Sequence, residues 1–465
     1  MAPKFGTSGL RGLVTELTDA LVTDYTRAFI SACPQGEAVH VGWDLRPSSP
    51  TIAETVIAAI RAAGLTAIRE GALPTPALAL ASMGAGNSAV MVTGSHIPAD
   101  RNGLKFYVPH GEIAKEDETA ILDRLGQDQP AAEKPAPEIP GADTAARYIA
   151  RYVDGFGADA LAGLRIGVYQ HSSVARDILV TAVEAMGATA VPLARSDVFI
   201  PVDTEAVDPE TRKTLQGWCT EHGLDAVIST DGDADRPMLS DETGTLIPGD
   251  VLGALTARLL GAKILCTPVS ANTMVDAMPE FDSIHRTKIG SPFVIAAMEA
   301  ARDADPAAKV VGYEPNGGFL LGFTATGPAG PIAPLATRDC LLPIVAPLVA
   351  AKQDGTALSG LVAQLPARFT AADRVAEVPT DRSRAFIDRL ADDPTARAEF
   401  FSDFAPAEQI DRTDGLRLTF PSGEIVHLRP SGNAPECRCY AEAATPERAQ
   451  TLVTRYLAAL RTELA

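Results

Sequence analysis

The chain has 465 residues, too many for one hydrophobic core, so we expect three or four domains. Apolar residues make up 46% of the chain and aromatic residues 5%, which is typical of a soluble α/β protein. The formal net charge of −19 argues against general binding to nucleic acid or to anionic membranes, so an anionic substrate must be attracted locally.

Apolar strand-like runs alternate with amphipathic helical stretches along most of the chain. The strands are predicted at 38–43, 89–93, 165–169, 226–230, 263–267 and 309–313. The helices are predicted at 50–63, 173–186, 209–221, 250–260 and 292–301. This alternation is typical of βαβ units and of mixed, mostly parallel sheets.

Three boundaries divide the chain. Residues 127–143 are crowded with proline and read as a linker, a fresh helix begins near Gly249, and a further break falls between 353 and 367. Strands at 416–420 and 425–428, followed by a helix from Pro446, indicate a small α+β domain at the end. The predicted domains are 1–142, 143–248, 249–365 and 366–465.

Cysteine usage indicates the compartment. The six cysteines contain no CxxC pair and read as core thiols. The residues from Met1 to Gly12 lack the apolar core of a signal peptide, and the apolar stretch 340–351 is short and contains two prolines. We therefore expect a reduced, cytoplasmic protein.

A serine loop, residues 93–98, follows the strand predicted at 89–93. Its sequence, Thr-Gly-Ser-His-Ile-Pro, puts Ser95 at the carboxyl end of a strand, where α/β proteins keep their chemistry. A nucleophile elbow for acyl transfer would need glycine where Ile97 stands. Lys105 comes ten residues after Ser95, and a hairpin-like turn over 102–106 would return its amine to the serine, as a positive clamp or a general base.

An aspartate loop, residues 231–236, follows the strand at 226–230. Its alternating carboxylates, Asp231, Asp233 and Asp235, are spaced to converge on one hard divalent cation, which would relieve their mutual repulsion. A calcium loop is the rival interpretation, since Glu242 falls at its twelfth position. It fails because Arg236 stands at the sixth position, where such a loop requires glycine.

Two later loops carry polar groups suited to a phosphosugar. In the glutamate loop, residues 314–318, Glu314 and Asn316 offer acceptors and a donor for vicinal hydroxyls. In the arginine loop, residues 429–433, a guanidinium, the Ser431 hydroxyl, turn amides and the Asn433 side chain lie within five residues. Together with Arg438, this combination suits a phosphate group.

The order of these segments along the whole chain resembles the α-D-phosphohexomutase superfamily, with phosphomannomutase and phosphoglucomutase as the nearest relatives. The segments that carry the resemblance are Phe-Gly-Thr-Ser-Gly-Leu-Arg-Gly at 5–12, the serine loop, the aspartate loop, Glu-Pro-Asn-Gly at 314–317 and Arg-Pro-Ser-Gly-Asn at 429–433. Supporting similarities lie at 44–48, 74–76 and 286–290. The resemblance implies three related α/β domains and a C-terminal TBP-like α+β domain around a central cleft.

The resemblance also implies a role for each motif. Ser95 would carry a phosphoryl group, and the aspartates Asp231, Asp233 and Asp235 would hold Mg²⁺ together with an oxygen of that phosphoserine. The side chains expected to line the reacting centre are Arg11, His96, Lys105 and Arg236. Glu314 and Asn316 would face the sugar. The residues expected to bind the phosphate that is not reacting are Arg429, Ser431, Gly432, Asn433 and Arg438.

Several positions differ from the usual pattern of this superfamily and bear on the sugar preference. Gly318 stands where relatives often place histidine, and Asn316 replaces a serine. Trp43 replaces an arginine, Ile97 an asparagine and Ala434 a glutamate. These changes leave the phosphoryl chemistry intact.

The leading hypothesis is a phosphohexomutase that interconverts hexose 6-phosphate and hexose 1-phosphate through phosphoserine and a bisphosphate intermediate, with mannose as the preferred sugar. Glucose and glucosamine are alternative sugars, and a serine-dependent phosphatase and a non-enzymatic sugar-phosphate sensor are alternative functions. A hexose 1,6-bisphosphate is a candidate activator, and we expect a monomer or a dimer.

Overall fold

A computed structural model describes residues 3–6, 9–127, 131–431 and 435–464. The first sheet is mixed and has eight strands, with parallel neighbours at its centre. In spatial order its strands are Lys4–Phe5, Leu10–Leu13, Arg101–Val108, Ser88–Val92, Ala38–Trp43, Thr66–Ala72 and Glu138–Pro140, with Gly111–Glu112 paired to Arg101–Val108. Its helices are Asp19–Ala32, Ser49–Ala62, Thr75–Gly84 and Lys115–Arg124.

The second sheet has four strands and the third has five. The second consists of Thr189–Arg195, Arg165–His171, Ala226–Thr230 and Pro237–Ser240, with helices Thr144–Phe156, Arg176–Ala185 and Pro209–His222. The third consists of Ser283–Thr287, Ile264–Pro268, Val310–Tyr313, Phe319–Leu321 and Leu335–Asp339. Beside it lie the pair Ala325–Thr326 and Pro331–Ile332, helices Gly249–Leu259, Ser291–Ala304, Leu342–Gln353 and Leu358–Val362, and the 3₁₀ turn Thr273–Ala277.

The C-terminal sheet is antiparallel throughout. Its strands are Phe369–Ala376, Glu436–Ala443, Ile425–Pro430, Leu416–Thr419 and Gln409–Asp411, and its helices are Thr380–Asp392, Pro394–Phe400 and Pro446–Leu464. This sheet has its own apolar core, whereas one continuous core joins the second and third sheets to part of the first. The predicted α/β architecture, with an α+β unit at the end, is therefore confirmed.

The three α/β sheets share one construction that positions the site. In each, a central parallel strand ends in a loop and the chain returns as an antiparallel neighbour: 88–92 to 101–108, 226–230 to 237–240, and 310–313 to 319–321. The serine, aspartate and glutamate loops are these three connections. Since the carboxyl ends of central strands are the usual place for ligands in α/β sheets, the fold presents all three loops in equivalent positions.

Two sequence expectations need correction. Residues 101–108 form a strand, so the reversal lies in the serine loop rather than in a turn at 102–106. The interpretation of 127–143 as a plain linker is wrong at Glu138–Pro140, which adds a strand to the edge of the first sheet, where Arg69 Nε donates to Glu138 at 2.6 Å. All six cysteines are free and buried, as predicted. Within the described ranges, no helix has the length and apolar character needed to cross a membrane.

Two buried histidines should make stability pH-dependent. His171 donates from Nε2 to the Thr230 carbonyl at 2.9 Å, and His427 donates from Nε2 to the Asp414 carbonyl at 2.6 Å. Burial lowers the pKa of each to about 4. Because an unfolded histidine titrates near 6.5, the unfolded state takes up protons first as pH falls. We expect each histidine to remove about 2 kcal/mol from the free energy of unfolding between pH 7 and pH 5.

This prediction is checked by urea unfolding at both pH values. His427→Gln keeps an N–H donor for the Asp414 carbonyl but does not titrate, so its loss between pH 7 and pH 5 should be smaller than that of the wild type by about 2 kcal/mol. An equal loss in the two proteins would show that His427 is not responsible.

Candidate functional site

Ser95 is held in a conformation that few non-glycine residues adopt. Its φ of 54° lies in the left-handed region, its N–H donates to Thr93 Oγ1 at 2.7 Å, and only 5% of the residue is exposed. Its Oγ donates to Asp231 Oδ2 at 2.9 Å, 136 positions later in the sequence. A strained backbone that aims a hydroxyl at a distant carboxylate is typical of a functional position.

A buried arginine that the sequence interpretation did not assign holds the serine loop in place. The Arg46 guanidinium donates to four carbonyl oxygens, those of Ser95 at 2.7 Å, Ile97 at 2.5 Å, Pro98 at 2.6 Å and Arg101 at 3.0 Å. Its Nε also pairs with Asp44 at 3.1 Å. Gly94 makes room for this side chain, because a Cβ there would lie 2.5 Å from Arg46 Cζ. Arg46 therefore fixes the loop that positions the serine.

Removing this guanidinium should destabilise the protein. We expect Arg46→Met to lower the free energy of unfolding by about 3–5 kcal/mol, because it leaves Asp44 and four carbonyls without their buried donor. Chemical denaturation measures the loss. The matched control is Arg69→Met, whose arginine pairs with Glu54 and Glu138 while 30% of its side chain is exposed. Arg69→Met should lower the free energy of unfolding by about 1 kcal/mol or less. Equal losses of stability in the two variants would contradict the role of Arg46.

The aspartate loop brings its three carboxylates together. One ligand atom from each of Asp231, Asp233 and Asp235 lies within 4.8 Å of the others, and all three residues are fully buried. Ala234 takes the left-handed conformation (φ 57°) that turns the alternate side chains to one side. Gly232 is needed for space, because a Cβ there would lie 3.0 Å from the Ser95 carbonyl oxygen.

The donor set fits a hard divalent cation. Among the described residues, Asp233 Oδ1 and Asp235 Oδ1 are buried without a hydrogen-bond partner. Burial and the neighbouring carboxylates raise the pKa of Asp231 well above its ordinary value. Carboxylate oxygens that repel one another and lack donors are the ligands that such a cation prefers. The aspartate loop is therefore a divalent metal site by its chemistry.

Two cations hold the other carboxylate oxygens. Lys105 Nζ donates to Asp233 Oδ2 at 2.5 Å and to Asp235 Oδ2 at 2.6 Å. Arg338, a residue absent from the sequence predictions, contacts the same Asp235 Oδ2 through Nη2 at 2.7 Å. Although burial opposes ionisation, these cations keep the pKa of Asp233 and Asp235 below the ordinary value. Lys105 is thus held on two carboxylates of the aspartate loop.

The remaining side chains predicted for the reacting centre lie around this cluster. Arg236 Nη1 donates to His96 Nδ1 at 2.9 Å, and that nitrogen lies 3.4 Å from Ser95 Oγ. Burial, together with the charge of Arg236, lowers the pKa of His96 to about 3, so the imidazole is neutral at physiological pH. Burial also lowers the pKa of Arg11 to about 10, against the pull of Asp233, and its guanidinium stays charged.

The glutamate loop is closed by its own backbone. The Glu314 N–H donates to the Gly318 carbonyl at 3.2 Å, and Asn316 Oδ1 accepts the Gly318 N–H at 2.9 Å. Thr204, from the second α/β unit, donates to the Asn316 carbonyl at 2.8 Å. The Asn316 side-chain oxygen is therefore engaged within the loop itself. Glu314 is 3% exposed and points towards Arg338.

The arginine loop lies on the C-terminal sheet, where Arg429 and Arg438 are cross-strand partners. Arg429 Nε donates to Asp414 at 2.9 Å, Arg438 Nε donates to Glu436 at 2.8 Å, and the Ser431 N–H donates to the Glu436 carbonyl at 2.9 Å. A bound phosphate would compete with these carboxylates for the guanidinium donors. Gly432 and Asn433 lie outside the described residues.

Arg46 and Arg338 were missed for different reasons. Arg46 belongs to the supporting similarity at 44–48, so a sequence signal for it existed. Arg338 gave none, because it lies on an ordinary strand and only the tertiary structure brings it to Asp235. Arg338, which pairs with Asp235, comes from a strand 103 positions later in the sequence.

Comparison with known proteins identifies the family. Models of four phosphoglucomutase/phosphomannomutase domains match residues 2–131 (α/β/α domain I), 146–244 (domain II), 241–369 (domain III) and 362–459 (C-terminal domain). A phosphomannomutase of Sinorhizobium fredii is 46% identical over 477 aligned residues, which cover 100% of both chains. A phosphomannomutase of Salmonella muenchen is 41% identical, over 99% of this chain and 96% of its own.

The fold comparison agrees with this result. A crystal structure of a phosphoglucomutase/phosphomannomutase family protein from Burkholderia thailandensis superimposes with a TM-score of 0.77 at 20% identity, covering 98% of this chain and 97% of the other. The chain belongs to the phosphoglucomutase/phosphomannomutase family. The predicted superfamily, its four-domain fold and the class of enzyme, a phosphohexomutase, are thereby confirmed.

Proposed function

We propose that this enzyme interconverts mannose 6-phosphate and mannose 1-phosphate, using Ser95 as the phosphoryl carrier. The observation that carries the proposal is the 2.9 Å hydrogen bond from Ser95 Oγ to Asp231, the first carboxylate of the metal site. This contact puts a nucleophilic hydroxyl beside a divalent cation site. The two relatives of highest identity described above are phosphomannomutases, which favours mannose over glucose.

Positive charge at the site supports phosphoryl transfer. The chain as a whole carries a net charge of −19, yet Arg11, Lys105, Arg236 and Arg338 surround the serine and aspartate loops. Phosphoryl transfer depends on in-line positioning and on stabilising negative charge that spreads over the transferred group. These cations supply that stabilisation locally, where the overall charge of the protein would repel a phosphosugar.

We propose Mg²⁺ as the cation, held by Asp231, Asp233 and Asp235 together with an oxygen of phosphorylated Ser95. When bound, Mg²⁺ would neutralise charge on the phosphoryl group. The two oxygens without hydrogen-bond partners, Asp233 Oδ1 and Asp235 Oδ1, are the ligands this proposal assigns. Their partners Oδ2 remain bound to Lys105.

The reaction consists of two transfers through one serine. Phosphorylated Ser95 donates its phosphoryl group to the free hydroxyl of the sugar monophosphate, so the sugar O–P bond forms, the serine O–P bond breaks and the hydroxyl proton ends on Ser95 Oγ. The bisphosphate intermediate then reverses its orientation, and its other phosphate returns to Ser95. Asp231 Oδ2 already accepts the serine proton in the unphosphorylated protein. It is therefore placed to receive that proton when Ser95 attacks, and the proton then passes to the sugar oxygen whose bond to phosphorus breaks, which restores the hydroxyl.

A phosphate-binding site separate from Ser95 would hold the sugar in either orientation. Arg429, Ser431, Gly432, Asn433 and Arg438 would hold whichever phosphate is not reacting, and binding energy from that remote group supports the transfer. Glu314 and Asn316 would read the sugar hydroxyls. A hexose 1,6-bisphosphate would charge Ser95 if the serine loses its phosphoryl group to water. The predicted monomeric or dimeric state and cytoplasmic location stay predictions.

Phosphorus NMR tests the proposal. The protein, with Mg²⁺ and catalytic glucose 1,6-bisphosphate, is offered the 1-phosphates of mannose, glucose and glucosamine in separate reactions. We expect a 6-phosphate signal with mannose 1-phosphate, and a slower one or none with the other two. Fastest conversion of glucose or glucosamine would overturn the sugar assignment, release of inorganic phosphate alone would show a phosphatase, and no turnover would favour a sensor.

A further inference from the structure

Arg338 touches both the metal site and the glutamate loop. Its Nη2 lies 2.7 Å from Asp235 Oδ2, and its Nη1 lies 3.5 Å from Glu314 Oε1. The second distance is that of an ion pair rather than a strong hydrogen bond. The arginine side chain is 4% exposed, as is that of Glu314. One buried guanidinium therefore connects a carboxylate assigned to the metal with the carboxylate assigned to the sugar.

Gly318 makes room for this arginine. A Cβ on Gly318 would lie 2.6 Å from Arg338 Cδ and 2.8 Å from its Cγ, and real Cβ atoms do not approach other atoms so closely. Gly318 is not among the glycines with positive φ, so its backbone does not require glycine. The three atoms nearest to such a Cβ all belong to Arg338, so this arginine requires a residue without a side chain at 318. The glycine at 318 and the arginine at 338 therefore depend on each other for space.

The strand that carries Arg338 is anchored on both sides of the residue. Thr337 Oγ1 donates to Glu112 at 2.8 Å, which ties the strand to the first α/β unit. The Asp339 carboxylate accepts hydrogen bonds from the hydroxyls of Tyr148, at 2.6 Å, and Tyr152. Buried neighbours fixed in this way limit the movement of residue 338. Its guanidinium is presented in one place rather than sampling the cleft.

We infer that Arg338, admitted by Gly318, is a positioning residue that couples the metal site to sugar recognition. Arg338 and Lys105 both bind Asp235 Oδ2, which leaves Oδ1 of the same carboxylate for Mg²⁺. The Arg338 guanidinium also orients Glu314 for the sugar hydroxyls. The inference rests on the proposed function, because the metal and sugar roles of these carboxylates come from it. Residues that bind a metal ligand from its other side commonly orient that ligand and raise the affinity for the metal.

A double-mutant cycle tests the coupling through binding as well as turnover. Arg338→Met, Gly318→Ala and the double variant are titrated calorimetrically with Mg²⁺ and with mannose 1-phosphate, and kcat/KM is measured alongside. We expect each single variant to weaken both ligands about tenfold or more. Because Gly318→Ala acts by displacing Arg338, adding it to Arg338→Met should change either affinity by less than about twofold. Independent, additive losses would overturn the inference, as would unchanged binding of both ligands.

Two further variants separate coupling from general damage. Arg338→Lys keeps one charge but reaches only one carboxylate, so it should weaken one ligand and spare the other. If Arg338→Met does not fold, Arg338→Gln, which also lacks the guanidinium charge, takes its place in the cycle. Gly217→Ala is the control, because a Cβ at 217 meets no atom within 4 Å. Wild-type protein that binds both ligands without turnover would refute the proposed function while leaving the binding cycle to decide on Arg338.

Discussion

Ser95→Gly is expected to lower mutase activity by about 10⁴-fold or more, because it removes the group that forms the covalent intermediate. Glycine is chosen over alanine because residue 95 has φ 54°, which glycine adopts without strain. The loss then reports the hydroxyl alone. Mass spectrometry after incubation with glucose 1,6-bisphosphate should show one phosphoryl group on the wild type and none on the variant.

A matched control exists within the same α/β unit. Ser82 is buried like Ser95, but its hydroxyl donates to the Ala79 carbonyl of its own helix, at 3.3 Å. Ser82→Ala should keep full activity and become phosphorylated to the wild-type level. Substantial mutase activity in Ser95→Gly, or a phosphoryl group on another residue of that variant, would exclude Ser95 as the carrier.

The sequence predicted the loops well because each is local. The strand predicted at 226–230 has the same bounds in the structure, and the aspartate loop follows it directly. The period of apolar residues sets where a strand stops, and the polar residues that follow are contiguous. Ser95 and the three aspartates could therefore be named before their contacts were known. Their pairing by the hydrogen bond from Ser95 to Asp231 spans 136 positions and needed the fold.

What the sequence missed depends on contacts between units. Lys105 was expected to return to Ser95 from a turn, yet it projects from a strand and binds Asp233 and Asp235. Arg338 lies on a strand with no motif around it. The need for glycine at 318 becomes clear only when Arg338 is seen to pack against it. Positions 318 and 338 are 20 residues apart, and only the folded chain brings them into contact. The packing of Arg338 against Gly318 and its ion pair with Asp235 show in the folded protein that the two positions depend on each other.

The metal site gives the second large prediction. Asp235→Asn should lower activity by about 100-fold or more and raise the Mg²⁺ concentration needed for half-maximal activity. Asp235 Oδ2 lies between Lys105 and Arg338, at 2.6 Å and 2.7 Å, while Oδ1 has no hydrogen-bond partner among the described residues. An asparagine that keeps its oxygen towards the two cations must turn its NH₂ towards the metal. The opposite rotamer sets that NH₂ against two positive charges.

Asp250→Asn separates this effect from the loss of a buried carboxylate as such. Asp250 is 2% exposed, and its oxygens accept the backbone N–H groups of Val251 and Asn272, at 3.0 Å and 2.8 Å. Burial raises its pKa to about 6. An amide there sets its NH₂ against one of these two N–H donors, so Asp250→Asn should lower the stability of the protein while its Mg²⁺ dependence stays at the wild-type value. If Asp235→Asn bound Mg²⁺ as tightly as this control, with the same activity, the aspartate loop would not be the metal site. If both variants lost Mg²⁺ binding equally, the loss would come from the fold, because Asp250 is not one of the three clustered carboxylates.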